Sequence, residues 1–309
     1  MKRKDFYFPA EDGRDISAVR WLPDNEKVKA VIQLNHGMAE HKERYEYFAE
    51  KLTDNGFAVY IHDHRGHGKT ARDEEELGHF DDKNGWSKVL SDIHILTLKI
   101  KKDYPSLPFF LFGHSMGSVL VRDYIATYDE DIKCVVLSGT AKNPGLLGKI
   151  GVKLAKFEEL RIGKRGKSKL MNALTFGDFN KKFKPVRTEF DWLSRDEKQV
   201  DKYINDPYCG FICSAKFFQD MIKGTLEVNN PEKINGINKN LHIYIMSGTA
   251  DPVGGYDKGV KKIYNDYKNA GIKNVTLKLY EGARHELLNE INKDEIISEL
   301  IDYLKMLLK

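Results

Sequence analysis

Apolar runs alternate along the chain with segments in which apolar residues recur at helical spacing. At the start, KDFYFP and DISAVRWLP alternate polar and apolar residues and are joined through Asp12-Gly13, which predicts an antiparallel hairpin. Uninterrupted apolar runs follow and predict buried strands: KAVIQLNHG, FAVYIH, PFFLFGHS, KCVVLSGT, NLHIYIMSGT and VTLKLYEG. Strands that are apolar on both faces and alternate with helices indicate an α/β fold, with a mostly parallel central sheet covered by helices on both faces.

The strand–helix alternation is interrupted between residues 141 and 232. This segment is predicted to contain helices and loops and no buried strand. A sheet that the chain leaves for a helical excursion and then re-enters is typical of a core with an inserted cap or lid. The predicted organisation is therefore a first part of the core over 1–140, a helical cap over 141–232 and a second part of the core over 233–309.

The first predicted helix of the cap has an apolar stripe and a basic stripe. The apolar stripe consists of Leu146, Leu147, Ile150, Leu154 and Phe157. The basic stripe consists of Lys149, Lys153 and Lys156. Two interpretations stay open: a cap helix that packs its apolar stripe on the core with its lysines in water, or a lid that rests on an anionic lipid surface.

Candidate chemistry is found just past the ends of the predicted strands, where functional residues of open parallel sheets gather. Ser115 lies in a Gly-x-Ser-x-Gly motif between an apolar run and a helical segment, as a nucleophile on a sharp strand-to-helix bend would. A serine hydroxyl needs a base, and His285, just past the last predicted strand, is the candidate. Asp251, past the preceding strand, is the candidate that orients His285, and the order Ser, Asp, His fits an acyl-transfer triad.

Each of these three residues also has an ordinary structural interpretation. Ser115 could cap a helix in a plain strand–helix turn, Asp251 could cap the next helix, and His285 could be a surface loop residue. Acyl transfer further requires donors for the negative charge that develops on the carbonyl oxygen. The backbone N–H groups of Met116 and Met38 are the candidates for this oxyanion hole.

Composition and charge narrow the range of functions. Lysine and arginine exceed the acidic residues by only 50 to 46 among 309 residues, a net charge of +4 that gives no case for nucleic-acid binding. No run approaches the roughly 18 apolar residues of a membrane span. Three cysteines without a secreted-scaffold spacing predict reduced thiols in a cytoplasmic protein. The expected contact with a membrane is transient and peripheral, through the cap.

The stretch HDHRGH, with His62, His64 and His67, is the strongest candidate for a metal site. Two of its histidines would share one face of a strand. No second group of ligands with matching spacing accompanies them, so the sequence predicts no metal and no cofactor.

Five stretches together resemble the α/β-hydrolase family, and within it the monoacylglycerol lipase or lysophospholipase-like branch. They are HGMAEHKERY, DHRGHGKT, GHSMGS, SGTADPV and YEGARHELLNE, and they are spread over nearly the whole core. The resemblance implies an α/β-hydrolase fold with Ser115 as nucleophile, Asp251 and His285 as its partners, and Met38 and Met116 as oxyanion donors. A cap segment, RTEFDWLSRDEKQVDKYINDPYCGF, looks like that of bacterial esterase-like members.

The expected function is hydrolysis of a carboxylic ester of a single-acyl lipid, a monoacylglycerol or a lysophospholipid, through an acyl-enzyme on Ser115. The expected partner is this small-molecule ester or lipid; the oligomeric state is left open. Three alternatives remain: a general short-chain carboxylesterase, an aminopeptidase-like hydrolase, and a non-catalytic binding protein with the same fold. A peptidase would need acidic cap residues to hold a substrate amine, for which the candidates are Asp191, Asp196 and Glu197.

Overall fold

The computed structural model describes residues 1–24, 27–128 and 130–309. Within them, eight strands form one sheet in the order β1-β2-β4-β3-β5-β6-β7-β8. The strands are β1 (Lys2–Pro9), β2 (Asp15–Leu22), β3 (Ala30–Asn35), β4 (Phe57–His62), β5 (Phe109–His114), β6 (Cys134–Ser138), β7 (His242–Gly248) and β8 (Asn274–Tyr280). The β1–β2 hairpin and the β2–β4 pair are antiparallel, and every other pair of neighbours is parallel. The predicted hairpin and the mostly parallel α/β sheet are confirmed.

Helices cover both faces of the sheet. They are α1 (Glu46–Thr53), α2 (Gly85–Asp103), α3 (Met116–Thr127), α4 (Gly145–Ile162), α5 (Lys169–Phe176), α6 (Glu197–Asn205), α7 (Ala215–Glu227), α8 (Pro231–Asn235), α9 (Tyr256–Asn269) and α10 (Lys293–Met306). Successive residues of β3, such as Val31 and Ile32, belong to opposite apolar clusters. One cluster includes side chains of α1 and α10, and the other includes side chains of α2, α3 and α9. The two faces are therefore buried by different helices, as uninterrupted apolar strands require.

Between β6 and β7 the chain forms α4 to α8 and short 3-10 turns. In the described part of this excursion the strand-like pairing is confined to one isolated bridge, between Lys167 and Ser214. A separate apolar cluster forms there around Trp192, Leu193 and Tyr203. None of the helices that the structure describes is long and apolar enough to cross a bilayer.

Of the two interpretations of the α4 apolar stripe, packing on the core holds only for Leu154, which is partly buried against the core. Leu147 is 79% exposed, and Leu146, Ile150 and Phe157 are also exposed. The buried face carries Gly148, Ala155, Glu158 and Glu159 instead. Small residues on that face let α4 approach α7 closely, since a Cβ at Gly148 would lie 3.2 Å from Leu226. Close helix approach, rather than leucine burial, determines which way α4 faces.

Candidate active site

Ser115 occupies a strained bend between β5 and α3. Its backbone has φ 52° and ψ −120°, a region that non-glycine residues rarely adopt and that persists only where the surroundings impose it. A Cβ at Gly113 would collide with the backbone of Gly117, and a Cβ at Gly117 would collide with the backbone of Asn35. Both glycines of the motif are therefore required sterically.

The Ser115 side chain makes no capping hydrogen bond to α3, although Ser115 is the residue before the helix. The simple N-cap interpretation thus does not describe this serine. Its backbone N–H donates to the carbonyl of Ser138 at 2.9 Å, which ties the bend to the end of β6. The hydroxyl is left for other chemistry.

His285 and Asp251 are in direct contact. Nδ1 of His285 lies 3.0 Å from Oδ2 of Asp251, and both residues are buried. The other oxygen, Oδ1, accepts from the N–H of Val253 at 2.9 Å, whereas α9 begins only at Tyr256. The structure therefore shows neither a helix-capping aspartate nor a surface histidine.

Asp251 stabilises the protonated form of the His285 imidazole, which burial alone would disfavour. Burial lowers the pKa of His285, but the charge and the hydrogen bond of Asp251 outweigh it, so the pKa is raised above its usual value. An imidazole whose Nδ1–H donates to a carboxylate carries its lone pair on Nε2. That nitrogen can then take a proton from a hydroxyl.

Ser115 and His285 border the same turn after β6. The Ser115 N–H bonds to Ser138, and a Cβ at the next residue, Gly139, would lie 3.0 Å from Nδ1 of His285. The ring of His114 lies 4.7 Å from the ring of His285, centroid to centroid. Ser115, Asp251 and His285 are thus brought to one region at the carboxyl end of the sheet.

Met38 and Met116 flank Ser115. Met116 is the first residue of α3, and Met38 lies in the loop after β3. A Cβ at Gly37 would lie 3.2 Å from Cβ of Ser115, so this loop passes directly beside the serine. In the part of the chain that the structure describes, neither methionine N–H donates to a protein acceptor. Both are therefore available to a ligand.

Aromatic side chains from the excursion between β6 and β7 cover His285. The Trp192 ring lies 5.1 Å from the His285 ring. Phe176 stacks on Trp192 at 5.9 Å, and Phe179 meets it edge-on at 4.9 Å. Sequence reasoning did not single out these residues, because aromatic residues in a helical insertion are as easily explained by its own packing.

Sequence reasoning also missed a buried ion group beside the site, formed by Glu40, Arg44 and Glu286. Glu286 directly follows His285 in the chain. That adjacency was the available signal, since a carboxylate is seldom buried unless it is paired.

Two clusters contain side chains of metal-binding types. Nε2 of His62 lies 3.1 Å from Nδ1 of His64, and burial lowers the pKa of His62 to about 3. In a second cluster the ligand atoms of His41, Asp206 and Cys209 lie within 4.8 Å of one another. Burial raises the pKa of the Cys209 thiol, whereas metal ligation requires a thiolate. The absence of a metal stays a prediction.

Comparison with known proteins places this geometry in context. The family described as serine aminopeptidase, S33, matches residues 26–292. The monoacylglycerol lipase of Mycolicibacterium smegmatis is 26% identical over 306 residues, covering 98% of this chain and 97% of that protein. The human monoglyceride lipase is 28% identical over 293 residues, covering 91% of this chain and 82% of that protein. The crystal structure of a carboxyl esterase from Bacillus coagulans in complex with glycerol is 29% identical, has a TM-score of 0.90 and covers 100% of both chains.

Proposed function

The chain belongs to the serine aminopeptidase S33 family of α/β-hydrolases, in its monoacylglycerol lipase branch, and we propose that it hydrolyses the ester bond of a single-acyl lipid. It is a carboxylic ester hydrolase of the lipase and esterase type. The proposed substrate is a monoacylglycerol or a lysophospholipid. The observation that carries the proposal is the buried 3.0 Å contact between His285 and Asp251 at the same turn as the strained Ser115.

In the proposed mechanism Ser115 attacks the ester carbonyl while Nε2 of His285 removes its proton. Asp251 holds the imidazole through Nδ1 and stabilises the imidazolium that forms. The N–H groups of Met38 and Met116 donate to the oxyanion, each worth about 3 kcal/mol of transition-state stabilisation. His285 then protonates the leaving alcohol, and water repeats the sequence on the acyl-enzyme.

The wall of aromatic rings around His285 supports an acyl chain as the group that is bound. Trp192 presents an apolar ring next to the imidazole, with Phe176 stacked on Trp192, and the chain attached to the reacting carbonyl would lie along these rings. Two of the three proteins named above, those of Mycolicibacterium smegmatis and human, are named for monoacylglycerol or monoglyceride, in keeping with one acyl chain.

We also propose that residues 141–232 act as a cap and that its outer surface contacts lipid. The exposed apolar side chains of its first two helices are Leu146, Leu147, Ile150, Phe157 and Leu160 on α4, with Leu170 and Leu174 on α5. Lys149, Lys153 and Lys156 are exposed on the same helix. Exposed apolar side chains beside a stripe of lysines are typical of a surface that rests on anionic lipid.

The acidic residues that an aminopeptidase would use for a substrate amine already have partners. The Asp191 carboxylate accepts from the N–H groups of Arg187 and Thr188, at 2.6 and 3.1 Å. Asp196 caps α6 by accepting from the N–H of Lys198. Glu197 lies exposed in the first turn of the same helix, with Oε2 at 4.0 Å from Nε of Arg187. These contacts favour an ester over a peptide substrate.

The test is hydrolysis of p-nitrophenyl esters from acetate to palmitate, followed by glycerol release from a monoacylglycerol, with Ser115→Ala in parallel. A rate maximum at medium or long chains that is lost in Ser115→Ala is expected. The control is Ser87→Ala, which changes an exposed serine of α2 and should keep the wild-type rate.

Other outcomes select the alternatives. A maximum at acetate would identify a short-chain carboxylesterase, and a preference for aminoacyl p-nitroanilides would identify a peptidase. No turnover of any substrate by folded protein would leave the binding-protein alternative.

A further inference from the structure

A buried ion group joins two loops on either side of Ser115. Arg44 donates to Glu40 at 2.6 Å and forms a bidentate salt bridge with Glu286, with both hydrogen bonds at 2.7 Å. Glu40 is 3% exposed and Glu286 is 5% exposed. The ring of Tyr203, on α6, lies 4.9 Å from the Arg44 guanidinium. We name Glu40, Arg44 and Glu286 the Arg44 bridge.

One end of the Arg44 bridge holds the loop that carries Met38. Oε1 of Glu40 accepts from the N–H of Gly37 at 2.5 Å and from the Tyr45 hydroxyl at 2.9 Å. Gly37 directly precedes Met38 and lies against Ser115. A shift of Glu40 would therefore move the backbone of the proposed oxyanion donor.

The other end holds the loop that carries His285. Glu286 follows His285 directly, and its backbone N–H donates to the carbonyl of Leu193 at 2.7 Å. Its carboxylate accepts from the Asn289 amide at 2.9 Å as well as from Arg44. The position of the imidazole is thus linked to Arg44 through one peptide unit.

The charges of the Arg44 bridge persist despite burial. Burial by itself would raise the pKa of Glu286, but the charge and hydrogen bonds of Arg44 lower that pKa below its usual value. An arginine fork can bond two carboxylates in fixed directions, whereas a lysine acts as a single point charge. The group therefore fixes geometry as well as charge.

We propose that the Arg44 bridge is a positioning device, which holds the Met38 N–H and the His285 ring in register around the carbon under attack. This inference rests on the roles given above to Ser115, His285 and Met38. Glu40, Arg44 and Glu286 are positioning residues, because they act through Gly37 and His285 and not on the substrate. A misplacement of about 1 Å in such a site costs on the order of 100-fold in rate.

The experiment compares Arg44→Met and Arg44→Lys with a matched control, Arg65→Met. Arg65 is also a buried arginine between two carboxylates, at 2.6 Å from both Asp12 and Asp92, but it joins the β1–β2 turn to α2. Active sites are counted by labelling with a fluorophosphonate, and kcat is expressed per labelled site. KM and the inhibition constant of a trifluoromethyl ketone, which forms a tetrahedral adduct on serine, are measured as well.

We expect Arg44→Met to lower kcat per labelled site by about 10- to 100-fold, with KM within about threefold of wild type. Affinity for the trifluoromethyl ketone should fall by a similar factor, because the adduct needs the oxyanion donors. Arg44→Lys should recover part of kcat. Arg65→Met should lower the melting temperature and leave kcat per labelled site unchanged.

The inference is overturned if Arg44→Met behaves like Arg65→Met, with fewer labelled sites but a wild-type kcat at each. Should Arg44→Met not fold, Glu40→Gln gives the same comparison with the side-chain shape preserved. Ser115→Ala distinguishes a failure of the proposed function from a failure of the positioning role. Turnover that survives in Ser115→Ala contradicts the proposed function, whereas an inactive Ser115→Ala beside fully active Arg44 variants contradicts only the positioning role.

Discussion

The backbone of Ser115 shows how neighbouring residues can impose a reactive geometry. A positive φ at a non-glycine residue costs on the order of 1–3 kcal/mol. The hydrogen bond from Ser115 to Ser138 and the side-chain-free contacts at Gly113 and Gly117 hold the bend. Because of this bend, Ser115 lies at the start of α3, where the helix dipole would favour negative charge on a reacting carbonyl oxygen.

At the same scale, Asp251→Asn tests the proposed orienting role of Asp251. The amide can hold His285 in the wrong tautomer, so kcat should fall by about 10⁴ with KM little changed. Asp251 raises the pKa of His285, and the base works only when deprotonated. The acidic limb of the kcat/KM profile of the variant should therefore move to lower pH, which a pH series from 4.5 to 9 would record at about half-unit steps.

The matched control for Asp251→Asn is Asp266→Asn. Asp266 pairs with Lys262 on α9, and its loss should leave both kcat and the pH profile as in wild type. A loss of kcat below about tenfold in Asp251→Asn, or an unmoved acidic limb, would contradict the orienting role.

The placement of candidate residues could be predicted from the sequence where a motif and a strand end coincide. Ser115, Asp251 and His285 were identified that way, and the structure brings Asp251 and His285 into contact. The pairing of Arg44 with Glu286 could not be predicted, since the two residues are 242 positions apart and meet only through loop packing. Periodicity and spacing carry no information on such contacts.

At the scale of elements, α4 shows why a hydrophobic stripe does not by itself identify a buried face. Its packing on α7 uses Gly148, Gly151 and Ala155, which recur at helical spacing but contribute little to hydrophobicity. Glu158 is also buried on this face, where it accepts from the Ser168 hydroxyl at 2.8 Å. Close approach and a satisfied carboxylate favour this orientation, and the leucines are left outside.

The exposed leucines of α4 are predicted to contribute to binding of anionic lipid. In Leu147→Ser/Leu160→Ser, binding to vesicles of anionic lipid should weaken by at least about tenfold, because each leucine contributes about 1.5–3 kcal/mol when buried in an apolar phase. Vesicle co-sedimentation measures this. The rate with p-nitrophenyl acetate should not change, because neither side chain contacts the site.

The matched control for the lipid surface is Leu98→Ser, which changes an exposed leucine of α2. It should leave vesicle binding at the wild-type level. Equal binding by Leu147→Ser/Leu160→Ser and wild type would show that the α4 surface serves another purpose.

At the scale of the whole molecule, the sheet could be predicted from the sequence. The way in which residues 141–232 pack on that sheet could not. Strands such as β3 and β5 are buried on both faces, and that leaves a clear trace in the sequence. The excursion packs on the core through buried side chains such as Phe217 and Phe218, and distant loops of the two parts are also joined by hydrogen bonds. Examples are the Tyr203 hydroxyl to the carbonyl of Ala39 at 2.9 Å, and the N–H of His285 to the carbonyl of Trp192 at 3.4 Å. Each of these bonds is accepted by a backbone carbonyl, which every residue type carries, so sequence patterns do not reveal the partner.

Histidines buried throughout the core make global stability depend on pH. Burial lowers the pKa of His67 from 6.5 to about 4, and the pKa of His114 is lowered to about 4 as well, by burial and by His285. An unfolded chain takes up these protons as the pH falls below about 6.5, whereas the folded chain does not until about pH 4. The contribution of these neutral histidines to the free energy of unfolding is therefore fully present above pH 6.5. It falls between pH 6.5 and 4, by up to about 1.4 kcal/mol per pH unit for each histidine.

His67→Phe isolates one contribution to this acid destabilisation. The His67 ring lies among Phe80, Phe211 and Phe217, at 6.1, 5.4 and 5.9 Å between centroids, so a phenyl ring suits the site. Urea unfolding at intervals from pH 7 to 4.5 should show a slope against pH that is smaller by about 1.4 kcal/mol per unit than in wild type, with an unchanged m-value. The variant loses the His67 bond to the Arg65 carbonyl at every pH, which shifts the curve without altering its slope. A slope equal to that of wild type would mean that His67 already takes up its proton in the folded protein near pH 6.5, and that the aromatic surroundings do not keep it neutral.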